Sequence, residues 1–455
     1  MAQTYSSAAA RPMPRYQGAA KRDSKLPWQI WVFIVVMMLP HTLAFYAGPV
    51  LVTTYRLAMI GMAIPIAIRL TSGRVKLGWP DALIGMFAFW SIMCIFMNFG
   101  LADGLERAGQ LILETVLAYF LSRLFIQNLD HLYGLVRPLF AVTVIALVLA
   151  IPEAISHQKP IIEITSKATG MSPGFYAPGT DVRMGLRRAQ AFFENPILYG
   201  LFCASCLSLV WYTERVVTTR VWKVAVVIAA VFFSASSAPF LTVSAQFIMI
   251  AIEQMTRTMK NRIPIILSVS AAIVAGLQVF TNAGPIGIIV NYLTFNQASS
   301  YNRVLIWDFG IQNIIRHPLF GMVPEQWVRG AWMKVSIDNF WIYTGLLSGF
   351  VGWGLLTAVL VSIIWKFNKV PLRYLTPRHI QFRRGWTLMI VAVAFTGFSV
   401  MFFGKLQPYF YFMLGVGAAA ASIYTEQFKR EARVRRDMDR ARAVDLGARR
   451  RHAPR

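Results

Sequence analysis

The chain has 455 residues, of which 56% are hydrophobic and 14% charged, with a mean hydropathy of +0.52. A soluble domain carries roughly 25% charged residues, so this chain lacks the side chains to cover a water-facing surface. Soluble multidomain enzymes, disordered proteins and disulfide scaffolds are excluded; an all-α polytopic membrane protein remains, and its net charge of +25 has to be read by position.

Residues 1–27 are polar and basic, without an apolar packing pattern, and are expected to form a disordered tail. Apolar runs near the ~20 residues that cross a hydrocarbon core then follow at 28–47, 49–69, 80–99, 108–126, 134–152, 195–213, 221–235, 236–254, 263–282, 342–365, 386–403 and 407–424. The first is too long for a secretory signal and lacks a cleavage site, so it is expected to remain as a span. About 12 transmembrane helices are predicted, making 28–424 one membrane domain. The pair at 221–254 requires a very tight turn at Ser234–Pro239. Cys203 and Cys206 form a C-x-x-C inside an apolar run, where a redox pair would lack its aqueous, electropositive setting.

Charge tests this assignment independently. With the N-terminus inside, the inner segments hold 33 Lys and Arg, the outer ones 11, and Arg56 lies within the second span. This is the positive-inside pattern, and it places both termini in the cytoplasm. The basic tail 425–455 then serves as a topology determinant that contacts anionic lipid headgroups, and nucleic acid is not an expected partner. Glu114, an intramembrane carboxylate, is expected to pair with Arg107.

Two outer connections are long, about 153–194 and 283–341, and they hold nine basic residues for which topology gives no reason. An anionic ligand would give one. Before the sixth span, Arg187 and Arg188 stand just outside the membrane, and Asn195 and Pro196 suit a helix start. The second loop predicts a helix at about 300–316, capped by Ser299 or Ser300 and stopped by Pro318. Val304, Ile311 and Ile315 would lie on a face resting on the membrane surface. Arg303 falls on this helix, where its planar fork suits a phosphate. His317 follows the helix about 21 Å further along, so the two cannot share one pyrophosphate without a break. Gly-rich stretches at 352–354 and 415–420 lie inside apolar spans and give no dinucleotide site. The Gly345–Gly349 pair has helix-packing spacing. The six His and three Cys form no metal-ligand pattern.

Three stretches, RRAQAFFENPILYG, R-V-L-I-W-D…R-H-P-L-F-G at 303–321 and S-I-D-N-F-W at 336–341, resemble the O-antigen ligase/polymerase superfamily of membrane glycosyltransferases. The likeness covers roughly 180–365. The frame of the family's ligases is kept at Asn339, Gly349 and Gly352, but Asp338 stands where the ligases have His. The Ser-Arg-Gly-like turn of the ligases has its counterpart at Ser237-Ala238-Pro239, without the Arg. Both departures favour the exopolysaccharide repeat-unit polymerase side. The resemblance implies a donor and an acceptor linked to undecaprenyl pyrophosphate at the periplasmic face of the inner membrane, no cofactor and no metal, with flippase and chain-length or export proteins as partners. Arg187, Arg188 and Arg303 are then candidates for pyrophosphate binding; Asp338 is the first candidate base and His317 the second. Asp338 has a competing role as N-cap of the tenth span. A ligase acting on a lipid A core is the alternative within the class. A polysaccharide-lipid flippase is the alternative outside it, disfavoured because no internal repeat is present.

Overall fold

The computed structural model describes residues 25–48, 50–73, 75–172, 182–183, 185–256 and 297–451, with backbone alone at 50, 297–300 and 439–451. The predicted ninth span at 263–282, most of the N-terminal tail and the start of the second loop lie outside the described residues. The protein is predominantly helical. Among the described residues, six helices are long and apolar enough to cross a membrane, so the expected count of twelve is not reached.

The first difference lies at the start. Helix α1 spans only Trp28–Met37, about 15 Å, because Pro40 interrupts the apolar run. An antiparallel hairpin follows, β1 (Ala44–Ala47) against β2 (Val50–Thr53), turning at Gly48 with φ 64°. Helix α2 (Thr54–Thr71) then begins with Arg56 in its first turn. A single predicted 20-residue crossing at 28–47 is thus replaced by a short helix and a strand.

Helix α3 (Trp79–Leu111), a π-helical turn (Ile112–Leu117) and α4 (Ala118–Phe125) run together as 47 helical residues. They are not one rod. Gly100 has φ 74°, and Asp81 meets the Arg123 guanidinium at 2.8 Å, whereas a straight helix would hold them about 63 Å apart. Ala88 and Ile95 accordingly pack into one cluster with Ala108 and Leu111. The segment is a helical hairpin whose arms correspond to the predicted third and fourth spans.

Helix α5 (Leu129–Ser156) starts at an Asn128 cap, whose side chain accepts from the His131 amide. The short α6 (Pro160–Thr169) and the paired strands β3 (Val182–Arg183) and β4 (Leu186–Arg187) follow. Helix α7 (Pro196–Thr213) is buried on nearly all sides, the mark of a central helix. Its cysteines are fully buried, as the apolar context predicts. Helices α8 (Val217–Phe233) and α9 (Ser237–Met255) are joined by the predicted tight turn, with Ala235 at φ 42°.

Helix α10 (Gln297–Arg316) begins before the predicted serine caps and ends short of Pro318 as predicted. Its packing face differs from the expected one. Ile306, Gly310, Asn313 and Ile314 turn inward, while Ile315 is 59% exposed, so α10 packs along helix α11 (Phe340–Lys369) rather than lying flat on lipid. The polar Asn313 hid this face from an apolar reading: its amide is satisfied by Phe309 O, Val328 O and Val328 N. Helices α12 (Pro377–Thr396) and α13 (Leu406–Arg451) complete the bundle. Gly415 lets α13 close onto α4, since a Cβ there would stand 2.1 Å from Tyr119 O.

The bundle has two distinct ends. Asp81–Arg123, Asp130–Arg378 (3.0 Å), Glu214–Lys223 and Glu253–Arg384 (2.9 Å) join the turns predicted on one side. Arg107–Glu325, Arg188–Ser236 and Asn339–Phe398 join the segments predicted on the other.

Candidate functional site

The site is built at this second end, from the two long connections. The first is fastened to α5 by a buried carboxylate. Glu153, 1% exposed, accepts from the Gln190 and Ala191 amides at 2.9 and 3.0 Å, and Ala191 takes φ 50° to present its N–H. Lys159, equally buried, donates to Gln190 Oε1 at 2.6 Å. Successive residues of an extended segment point to opposite sides, and the two neighbouring arginines separate accordingly. Arg187 is buried and donates to the His157 carbonyl, back toward the end of α5. Arg188 turns the other way and donates to Ser236 Oγ at 2.7 Å, in the α8–α9 turn. Arg183 donates to Ala235 O of the same turn at 3.0 Å.

The second connection brings α10 against the start of α11. Gly310 makes this possible: a Cβ there would lie 2.4 Å from Ile342 Cγ2. Arg303 is one turn ahead of Ile306 on the same face, on the side of the start of α11, since Gly310 meets Ile342 and Ile314 meets Gly345. Asp338 stands there, exposed, immediately before the helix cap. That cap is Asn339: its Oδ1 accepts from the Ile342 amide at 2.9 Å and its Nδ2 donates to Phe398 O at 2.6 Å. The N-cap role weighed for Asp338 therefore belongs to the next residue, and the Asp338 carboxylate remains available to the cluster.

Asp338 and Arg188 each act on Arg303. Burial pushes the Arg303 pKa below its ordinary value; Asp338 opposes that shift and Arg188 adds to it. The Arg303 Nε is buried and makes no hydrogen bond among the described residues. Guanidinium groups stay protonated in proteins, so Arg303 carries its charge beside one carboxylate and one further cation. A partly buried cation with an unused N–H is an unfavourable arrangement until an anion completes it.

Two candidates fall outside the cluster. Arg187 is held at α5, and His317 is exposed at the opposite end of an unbroken α10, about 21 Å from Arg303 along the axis. The pairing expected for Glu114 is corrected as well. Its Oε1 accepts from Tyr55 OH and from Arg56 Nε, each at 2.8 Å, while Arg107 stacks on Phe99 and bridges to Glu325 at 3.1 Å. The fold-back at Gly100 and the position of α2, which spacing alone does not reveal, account for the exchange.

One charged pair went unread in the sequence. Lys405 is fully buried, donates through Nζ to the carbonyls of Leu39 and Phe192, and its pKa is lowered to about 8 by desolvation, with Glu194 opposing. The Glu194 carboxylate accepts from the Lys405 amide at 3.3 Å, and burial raises its pKa, with Lys405 opposing. The only signal was a lone Lys in the turn FFGKLQP, on the side where basic residues are sparse. Gly404, at φ 55°, has no room for a Cβ beside the Glu194 carboxylate. Among the described residues no three His, Cys, Asp or Glu side chains converge as a metal site would need.

No protein-family model matches the chain, and no curated protein matches it.

Proposed function

We propose that the chain is a membrane glycosyltransferase that joins oligosaccharide repeat units carried on polyprenyl pyrophosphate, at the periplasmic face of the bacterial inner membrane. The observation that supports this best is that Arg188 and Asp338, from the two long connections, both act on the largely buried Arg303. In this reading an acceptor hydroxyl attacks the anomeric carbon of the donor, the bond from that carbon to the pyrophosphate oxygen breaks, and Asp338 takes the hydroxyl proton. The two guanidinium groups neutralise the departing pyrophosphate, which is the term expected to dominate. The resemblance to the ligase/polymerase superfamily agrees in one further respect. The family's arginine is missing from the α8–α9 turn itself, but Arg188 brings a guanidinium to that turn from the first connection. Both termini lie in the cytoplasm in this reading, which requires an even number of crossings.

Deletion of the gene followed by glycolipid analysis tests the reaction. Single lipid-linked repeats on the outer face support polymerisation; unattached polymer indicates a ligase, and accumulation on the inner face a flippase. In complementation, Arg303→Lys is expected to make little polymer, because an ammonium lacks the planar fork. Asp338→Asn is expected to make none at normal protein level. Wild-type polymer from Arg303→Ala would remove that residue from the site.

A further inference from the structure

A second cationic site lies at the opposite end of the bundle, independent of the reaction proposed above. The end of α2, the loop before α3, the end of α4, the start of α5 and the middle of α13 enclose a cavity of about 420 Å³. Arg69, Lys76 and Arg123 line it, with Glu426 the one acidic residue among the described residues of the wall. Lys366 and Lys429 stand close enough to one another to interact, and Lys366 also interacts with Arg123. Asp81 offsets the charge of Arg123, its partner in a buried ion pair at 2.8 Å, so the cations that bear on a ligand are Arg69 and Lys76. Both oxygens of Asp81 are already used: Oδ1 accepts from Tyr119 OH and Arg123 Nε, and Oδ2 from Arg123 Nη2 and the Gly78 amide. Arg123 in turn donates to Lys76 O at 2.8 Å, which fixes the loop that carries Lys76. The start of α5, with Asn128 and His131 in the wall, adds the positive end of a 28-residue helix.

We infer that this cavity binds the phosphate of an anionic phospholipid headgroup. The charge selects an anion, and guanidinium with ammonium donors suits a phosphate diester. The lipid source follows from what adjoins the site. Ile60, Ile64 and Ile68, 49%, 68% and 65% exposed, form one stripe along α2 that ends beside Arg69. Trp79, 69% exposed, stands at the start of α3, beyond Lys76, as an interfacial aromatic would. A headgroup held by Arg69 and Lys76 has a path for its acyl chain along that stripe. A free anion would have no use for it.

The test is native mass spectrometry of the full-length chain in detergent, with phosphatidylglycerol or phosphatidylcholine of matched acyl chains, and with inorganic phosphate as competitor. The wild type is expected to retain phosphatidylglycerol selectively, and Arg69→Gln/Lys76→Gln to lose about tenfold in that retention. Arg433→Gln/Arg436→Gln, in the exposed basic continuation of α13, is expected to retain it. If the double variant fails to fold, Lys76→Gln alone, at an exposed residue, reads a smaller loss in the same direction. Equal retention of both lipids, unchanged retention in the Arg69/Lys76 or Lys76 variant, or an equal loss in the Arg433/Arg436 variant would overturn the assignment. Displacement of the lipid by millimolar phosphate would replace the lipid source with a free anion.

Discussion

Asp338 and Asn339 are neighbours with separable jobs. Asn339 closes the first turn of α11 and ties it to Phe398, so Asn339→Ala is expected to lower stability by about 1–2 kcal/mol, read as a lower melting temperature in detergent. Asp338→Asn touches neither bond, and its melting temperature is expected to match the wild type while polymer synthesis is lost. A melting temperature equally low in both variants would return Asp338 to a structural role. Lys405 makes a pH prediction of definite sign. Its folded pKa, about 8, lies below the ordinary lysine value of 10.5. Between those values the unfolded chain holds the extra proton, so stability should rise with pH there, by on the order of 1 kcal/mol per unit at most. Below pH 8 both states are protonated and the full burial penalty is present. The difference in melting temperature between wild type and Lys405→Met, followed from pH 7 to 10, should therefore move in favour of the wild type. A flat difference would mean that Lys405 keeps its proton throughout.

The α10–α11 contact decides whether Arg303 can reach its partners. Gly310→Ala places a methyl group 2.4 Å from Ile342 Cγ2, and overpacking of this kind costs about 1–3 kcal/mol. The helix is expected to move outward, taking Arg303 away from Asp338, so polymer yield should fall even where the protein is abundant. Ile342→Ala makes room for that methyl group, and the double variant is expected to recover part of the yield, a coupling that two independent defects would not show. Gly349 has a different importance in the same helix. It bends α11 at φ 64°, where a Cβ would lie 2.2 Å from Leu319 O, so in the motif frame Gly349 serves the backbone and Asn339 serves as the cap.

At the scale of the whole chain, an alkaline phosphatase reporter is expected to be active after residue 170 and inactive after residue 455. The reverse pattern would invert the molecule and remove the outer site from the periplasm. Much of this organisation was legible in the sequence. The tight turn at Ser234–Ser236, the extent of α10 and the sorting of turns between two ends all follow from apolar runs and the position of Lys and Arg. The start of the chain was less legible, because an apolar run does not say whether Pro40 and Gly48 will divide it into a helix and a hairpin. Partners were the least legible. Arg56 and Arg107 differ little as sequence candidates for Glu114, and only the fold-back at Gly100 with the placement of α2 chooses between them. In the site, spacing kept Arg303 and His317 apart, but it could not say that Arg187 and Arg188 would face opposite ways.

Helix α13 runs without a break from its apolar half into its basic half and continues to Arg451. From residue 425 that continuation is about 40 Å long, while the pull of anionic headgroups fades within about 8–10 Å at physiological salt. A helix that emerges unbroken from a bundle stands away from the surface instead of lying along it. Only its first turns then remain within reach of the lipid, and the exposed Arg433 and Arg436 lie beyond them. A glycine pair inserted near residue 428 is expected to break that rigid continuation without removing a single charge.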